Sequence, residues 1–197
     1  MIRDKRMPNL FLLPASQTRD KDALTEDGVR RVIDALRASF DWVICDSPAG
    51  IERGAILAMR HADAAVIVTN PEVSSVRDSD RIIGMLDSRT VKAESGETIP
   101  KHVLVTRYDA ERASRGDMLA IDDILEILCL PLLGIIPESQ EVLKASNVGA
   151  PVTLANPASA PARAYADAVQ RLKGETVAMT VPTDKKSLFG GLFRRAA

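Results

Sequence analysis

The stretch Trp42-Val43-Ile44-Cys45-Asp46-Ser47-Pro48-Ala49-Gly50 limits the fold more than any other part of the chain. Four apolar residues run without alternation into an acid and then a turn. Such a run, bounded by turn residues, marks a strand covered on both faces of a parallel sheet. Asp46 would then stand at the carboxyl end of the strand, where open α/β sheets bind their ligands. Pro48 fixes φ, and Gly50 permits backbone angles closed to other residues, so the chain turns there. A carboxylate so placed suits a magnesium ion held through one of its waters, because magnesium gives up its water shell reluctantly. The same residues also fit a strand whose terminal Asp merely caps the next helix, and the rest of the chain has to separate the two readings.

Further apolar runs follow the same pattern. Asn9 to Pro14, Ala64 to Thr69, His102 to Thr106 and Leu132 to Ile136 are short and β-rich, and they end in Pro, Asn-Pro, Arg or Pro-Glu. Between them lie stretches of helical period. Val29, Val32, Ile33 and Leu36 form one stripe behind Thr25, a suitable N-cap. Ile51 to Met59 reads as a helix. Val76, Ile82, Ile83, Met85 and Leu86 form another stripe, capped by Ser74 or Ser75. Met118, Ile121, Ile124, Leu125 and Leu128 make a helix after Ser114–Asp117, Val142 and Leu143 mark the next, and Ala162 to Leu172 the last. Ser88 to Pro100 reads as a loop, and Pro151 to Pro157 as a loop or short edge strand. Strands alternating with helices give a doubly wound, mostly parallel α/β sheet. Residues 1–175 form its body, 176–184 a linker, and 185–197 a separate C-terminal segment.

Four strand ends carry polar candidates: Asp46, Glu72, Arg107 and Pro137-Glu138. In one parallel sheet these ends share an edge and converge on a single ligand. Taken singly, Arg107 is an ordinary surface charge and Pro137-Glu138 an ordinary helix start. Together they suit a nucleotide, with an acid for hydrated metal and an Arg or backbone groups for the base. The 197 residues contain no Gly-x-x-x-x-Gly-Lys-Ser/Thr loop to cradle phosphates.

Composition narrows the class. Apolar residues make up 46%, so the chain buries a core. With 26 cations and 27 acids it is near neutral, which argues against a nucleic-acid binder. Cys45 and Cys129 sit in apolar runs without metal-ligand spacing and read as buried thiols of a reducing compartment. No signal peptide opens the chain, and no apolar run is long enough to span a membrane.

Several stretches, in order, resemble the septum-site-determining MinD family of deviant-Walker ATPases, a group that also holds the partition ATPases and the nitrogenase iron protein. They are residues Leu13 to Leu24 (LPASQTRDKDAL), Cys45 to Glu52 (CDSPAGIE), Thr69 to Arg81 (TNPEVSSVRDSDR), Thr106-Arg107-Tyr108, Ser114 to Met118 (SRGDM) and Ile135 to Glu138 (IIPE). The resemblance implies a P-loop NTPase-like fold, with ATP and Mg2+ as ligands. It makes Asp46 the switch acid that helps hold hydrated magnesium, and Ser47, Pro48, Ala49 and Gly50 the switch loop. Glu72 becomes the group reaching the nucleotide across a homodimer, while Arg107, Pro137 and Glu138 surround the base. The division inhibitor MinC and MinE-type regulators are implied as partners. The family's P-loop strand, its Gly-rich loop and the following strand have no counterpart here. The chain is therefore expected to be N-terminally truncated, poorly stable alone and without ATP hydrolysis of its own. A non-catalytic membrane-attached remnant and a chromosome or plasmid partition relative are the alternatives.

The last segment is amphipathic. At 100° per residue, Leu188, Phe189, Leu192 and Phe193 fill one arc of about 140°. Lys186, Arg194 and Arg195 take the other side, and Lys185 snorkels from the first turn. Such a segment lies in the interface of an anionic membrane. Each cation contributes about 1 kcal/mol there. The expected place is the cytoplasm, peripheral on the inner membrane. The C-terminal helix of the resembling family has the same character.

Overall fold

A computed structural model describes residues 1–14, 24–47 and 53–182. They form two compact units, Met1–His61 and Ala62–Ala197.

In the first unit, β1 (Ile2–Arg3) and β2 (Phe11–Leu12) pair antiparallel, Ile2 opposite Leu12 and Arg3 opposite Phe11. Asp4 makes the turn between them. Its carboxylate accepts the backbone N–H of Arg6 at 2.7 Å and of Met7 at 2.8 Å. These two bonds hold its pKa below the ordinary carboxylate value. The Asn9–Pro14 run thus supplies a strand, in a hairpin rather than in the parallel sheet.

Helix α1 (Glu26–Arg37) starts where the sequence places it. Thr25 Oγ1 accepts the Gly28 N–H at 3.1 Å, satisfying a donor that the first turn leaves open. Glu26 and Asp27 sit at the positive end of the helix dipole and Arg37 at the negative end. Helix α2 (Arg53–Arg60) follows, and Arg60 pairs with Glu26.

The central expectation for this unit fails. Trp42 to Ser47 join no sheet among the described residues, and Trp42 is 58% and Ile44 86% exposed. An apolar run becomes a buried strand only when neighbours complete its ladder and cover its faces. No described strand does so here. Cys45 is exposed for the same reason. Cys129 is exposed as well, because it occupies a left-handed turn at a helix end (φ 51°). Neither is the buried thiol the sequence suggested.

The second unit carries the α/β architecture. β3 (Ala65–Thr69) leads into α3 (Val73–Arg89) and α4 (Val91–Glu94). β4 (Lys101–Tyr108) leads into α5 (Ala110–Ser114) and α6 (Ile121–Leu128). β5 (Leu132–Pro137) leads into α7 (Gln140–Asn147), α8 (Val152–Ala155) and α9 (Ala160–Leu172). The three strands are parallel in the order β3-β4-β5.

Alternate residues of β4 point to opposite faces, and both faces are covered. Val103 and Val105 pack with Val76, Ile124, Leu128 and Ile135. Leu104 packs with Leu133, Ile136 and Ala168 on the other side. This is the doubly wound arrangement read from the sequence. At β3 only one face is covered: Ile67 and Thr69 are buried, whereas Val66 is 37% and Val68 59% exposed.

Gly134 lets α9 lie close to β5. A Cβ at that position would sit 3.1 Å from Ala168 Cβ and 3.3 Å from Leu104 Cδ1. Three boundaries differ from those expected. Helix α3 begins after Glu72, whose side chain makes no capping bond, rather than at Ser74 or Ser75. Thr90 caps a short helix inside the Ser88–Pro100 stretch, accepting the Ala93 N–H. Val152–Ala155, read as loop or edge strand, is helical.

Candidate functional site

Three adjacent strands end side by side, and each delivers polar residues to the same edge. β3 runs into Asn70-Pro71-Glu72, β4 ends on Thr106-Arg107-Tyr108, and β5 ends on Pro137 before Glu138. Parallel pairing puts Thr69 opposite Val105 and Tyr108 opposite Pro137.

Hydrogen bonds stitch these ends together. Arg107 Nε donates to Glu138 Oε2 at 3.0 Å, and the Glu138 N–H donates to the Tyr108 carbonyl at 2.8 Å. Thr106 Oγ1 donates to Asn70 Oδ1 at 2.9 Å, which turns the NH2 end of that amide away from Thr106. The Glu72 N–H donates to the Asn70 carbonyl at 2.8 Å. Arg107 adopts φ 58°, a left-handed conformation that a side chain resists, at the point where β4 leaves the sheet. Burial, with a smaller contribution from Asp122, raises the pKa of the neighbouring Tyr108 phenol. The hydroxyl therefore stays protonated through the neutral range.

Arg107, Pro137 and Glu138 thus come together at one edge of the sheet. Asn70 and Thr106 join them, and the sequence reading did not single these out. The available signal was a polar residue closing an otherwise apolar strand at Thr69 and Thr106. Glu72 stands at the start of α3, exposed. It lines an open cavity of about 460 Å³ with Pro71, Asp117, Met118, Leu119 and Asp123. Arg115 Nε donates to Asp117 at 3.2 Å, and Asp123 accepts the Ala120 N–H at 3.1 Å.

Asp46 belongs to the first unit and is exposed, following Trp42–Cys45, which lies in no sheet. The expected placement of Asp46 at the carboxyl end of a sheet strand is not met, because that segment is in no sheet. Ser47 is exposed, while Pro48, Ala49 and Gly50 of the expected switch loop lie outside the described residues. So do Lys185, Lys186, Leu188, Phe189, Leu192, Phe193, Arg194 and Arg195 of the expected membrane segment. Among the described residues no helix is long and apolar enough to cross a membrane.

A nucleotide fits this edge in part. The guanidinium, carboxylate and amide at the strand ends offer donors and acceptors of the kind a base edge needs. Among the described residues, no group of three or more His, Cys, Asp or Glu could hold a metal ion. Asp46 would supply a single acid, leaving the other magnesium positions to water and phosphate oxygens. The given sequence contains no Gly-x-x-x-x-Gly-Lys-Ser/Thr loop.

Comparison with known proteins places this arrangement. Septum site-determining proteins MinD of Neisseria meningitidis and Escherichia coli K12 are 54% and 56% identical to the chain. The matches cover 98% and 97% of the chain and 72% and 73% of those proteins. MinD in the MinC:MinD cell division complex of Aquifex aeolicus superposes with a TM-score of 0.78 at 36% identity, over 91% of this chain and 69% of that one. MinD of Pyrococcus horikoshii, solved with Mg-ADP, gives 0.63 at 26% identity, over 75% and 56%. No family profile matches the chain.

Proposed function

The chain belongs to the MinD family of septum site-determining proteins, and we propose that it acts in placing the bacterial division site from the surface of the inner membrane. The observation that carries this reading is identity above 50% through nearly the whole chain with proteins of that name. In this reading residues 185–197 are the membrane contact and residues 1–175 the body. The partner is a MinC-type division inhibitor, as in the Aquifex aeolicus complex, with MinE-type regulators acting on the same body.

The nucleotide-facing roles in this reading are those implied by the resemblance to the family. Arg107, Pro137 and Glu138 take the base of ATP, with Asn70 held ready by Thr106. Glu72 reaches the nucleotide of the second copy in a homodimer. Asp46 holds magnesium through a water, and Ser47 to Gly50 respond to it. The Pyrococcus horikoshii protein, solved with Mg-ADP, supports nucleotide and magnesium binding in the family.

A second reading has its own support. The sequence has no phosphate cradle, so this chain by itself serves as a membrane-attached binding module that does not turn over ATP. Both readings require the tail. The full chain should sediment with vesicles rich in phosphatidylglycerol, and the chain lacking Lys185 to Ala197 should stay in solution. Equal sedimentation of the two would remove the membrane assignment.

A further inference from the structure

Helix α9 ends in a reversal that the sequence reading treated as plain linker. Gly174 takes φ 87°, its N–H donates to the Arg171 carbonyl at 2.9 Å, and the Glu175 N–H donates to the Gln170 carbonyl at 3.0 Å. Glycine at a left-handed helix exit satisfies the last carbonyls and turns the chain back. One side chain then catches the returning strand. Arg171 Nε donates to the Val177 carbonyl at 3.0 Å, and Nη2 donates to the Ala178 carbonyl. Nη1 reaches the Leu133 carbonyl of β5 at 2.9 Å. Met179 and Thr180 lie beside Asp167 and Ala164, one and two turns back along α9.

We propose that Arg171 is the positioning residue of a latch. It fastens residues 175–180 along α9 and so fixes where the C-terminal segment leaves the body. A planar guanidinium with five donors suits three carbonyls set around it; a lysine ammonium is a point charge and does not. All three acceptors are backbone groups, so the latch depends on Arg171 and on the Gly174 turn, not on the side chains of the strap.

The consequence rests on the membrane reading above. With the latch closed, residues 181–184 alone separate the body from Lys185; with it open, the free span runs from residue 175. Effective concentration falls roughly as the −3/2 power of linker length. Opening the latch therefore lengthens the span from four residues to ten, 175–184, and cuts the effective concentration of a second tail about four-fold once the first is bound. Arg171 thus tunes two-tailed attachment without touching lipid.

The test uses the full chain, with R171K and R171A. Elastase cleaves after small residues and reads the accessibility of Val177 and Ala178. Both variants should be cut there at least ten-fold faster than the native chain, with amide exchange in β4 and β5 unchanged. Attachment to vesicles of equal phosphatidylglycerol and phosphatidylethanolamine should weaken about four-fold, while a peptide of residues 183–197 sets the single-tail baseline. Native-like cleavage in R171K and R171A would overturn the latch. So would a native chain cut as fast at 177–178 as a peptide of residues 174–184, a comparison that needs no variant to fold. Faster cleavage with unchanged vesicle affinity would overturn its role in attachment. A native chain that ignores the vesicles would sink the membrane reading and leave the latch to stand or fall on cleavage alone.

Discussion

Arg107 shows a local cost that its contacts do not recover. A non-glycine residue in the left-handed region costs about 1–2 kcal/mol. Its ion pair with Glu138 joins two side chains that are 65% and 42% exposed, and such pairs return about 1 kcal/mol at most. Replacing Arg107 by Gly should raise stability by about 0.5–1 kcal/mol in urea unfolding while stripping the strand edge of its guanidinium. A destabilised variant would show that the pair, not the backbone, governs this position. Glu141 makes a second prediction. The Asn156 amide first, and then Lys144, hold its carboxyl below the ordinary value. The folded state then favours the ionised form. Its contribution is present above the ordinary carboxylate pKa and lost as pH falls through the lowered folded value. E141Q should therefore be less stable than the native chain at neutral pH, with the gap closing in acid. A gap independent of pH would reject the cause assigned here.

At the level of elements, α9 on β5 is the most demanding contact. Gly134→Ala sets a methyl 3.1 Å from Ala168 Cβ, so the helix must shift. We expect a loss of about 1–3 kcal/mol, read as a lower urea midpoint; an unchanged midpoint would mean that α9 has slack. The elements also show what a sequence reveals. The runs at 64–69, 102–106 and 132–136 were legible as strands because their ladder partners are one another, within the chain. The run at 42–45 has the same composition and lies in no described sheet. Strand formation belongs to a pair of segments, whereas the helix after Thr25 carries its periodicity and its cap locally. Short α5 was missed although its signal was present: the Asp109 carboxylate accepts the N–H groups of Glu111 and Arg112. The Asn70–Thr106 bond spans 36 residues and the Arg107–Glu138 pair 31. Strand order creates those neighbours, so single-sequence periodicity carried no sign of them.

For the molecule as a whole, the proposed function implies a division of labour. In the proposed function this chain supplies the base-facing edge, the latch along α9 and the membrane segment, and its sequence contains no Gly-x-x-x-x-Gly-Lys-Ser/Thr loop. The chain spans 72–73% of the Neisseria meningitidis and Escherichia coli relatives. Trp42 and Ile44 in the first unit and Val68 in the second are exposed. The measurement that tests this division most directly is phosphate release from ATP by the purified 197-residue chain, with and without magnesium. The expected result is no release above the buffer rate under either condition. Sustained magnesium-dependent release that disappears in Asp46→Asn would contradict the account, because these residues alone would then be holding and splitting the triphosphate.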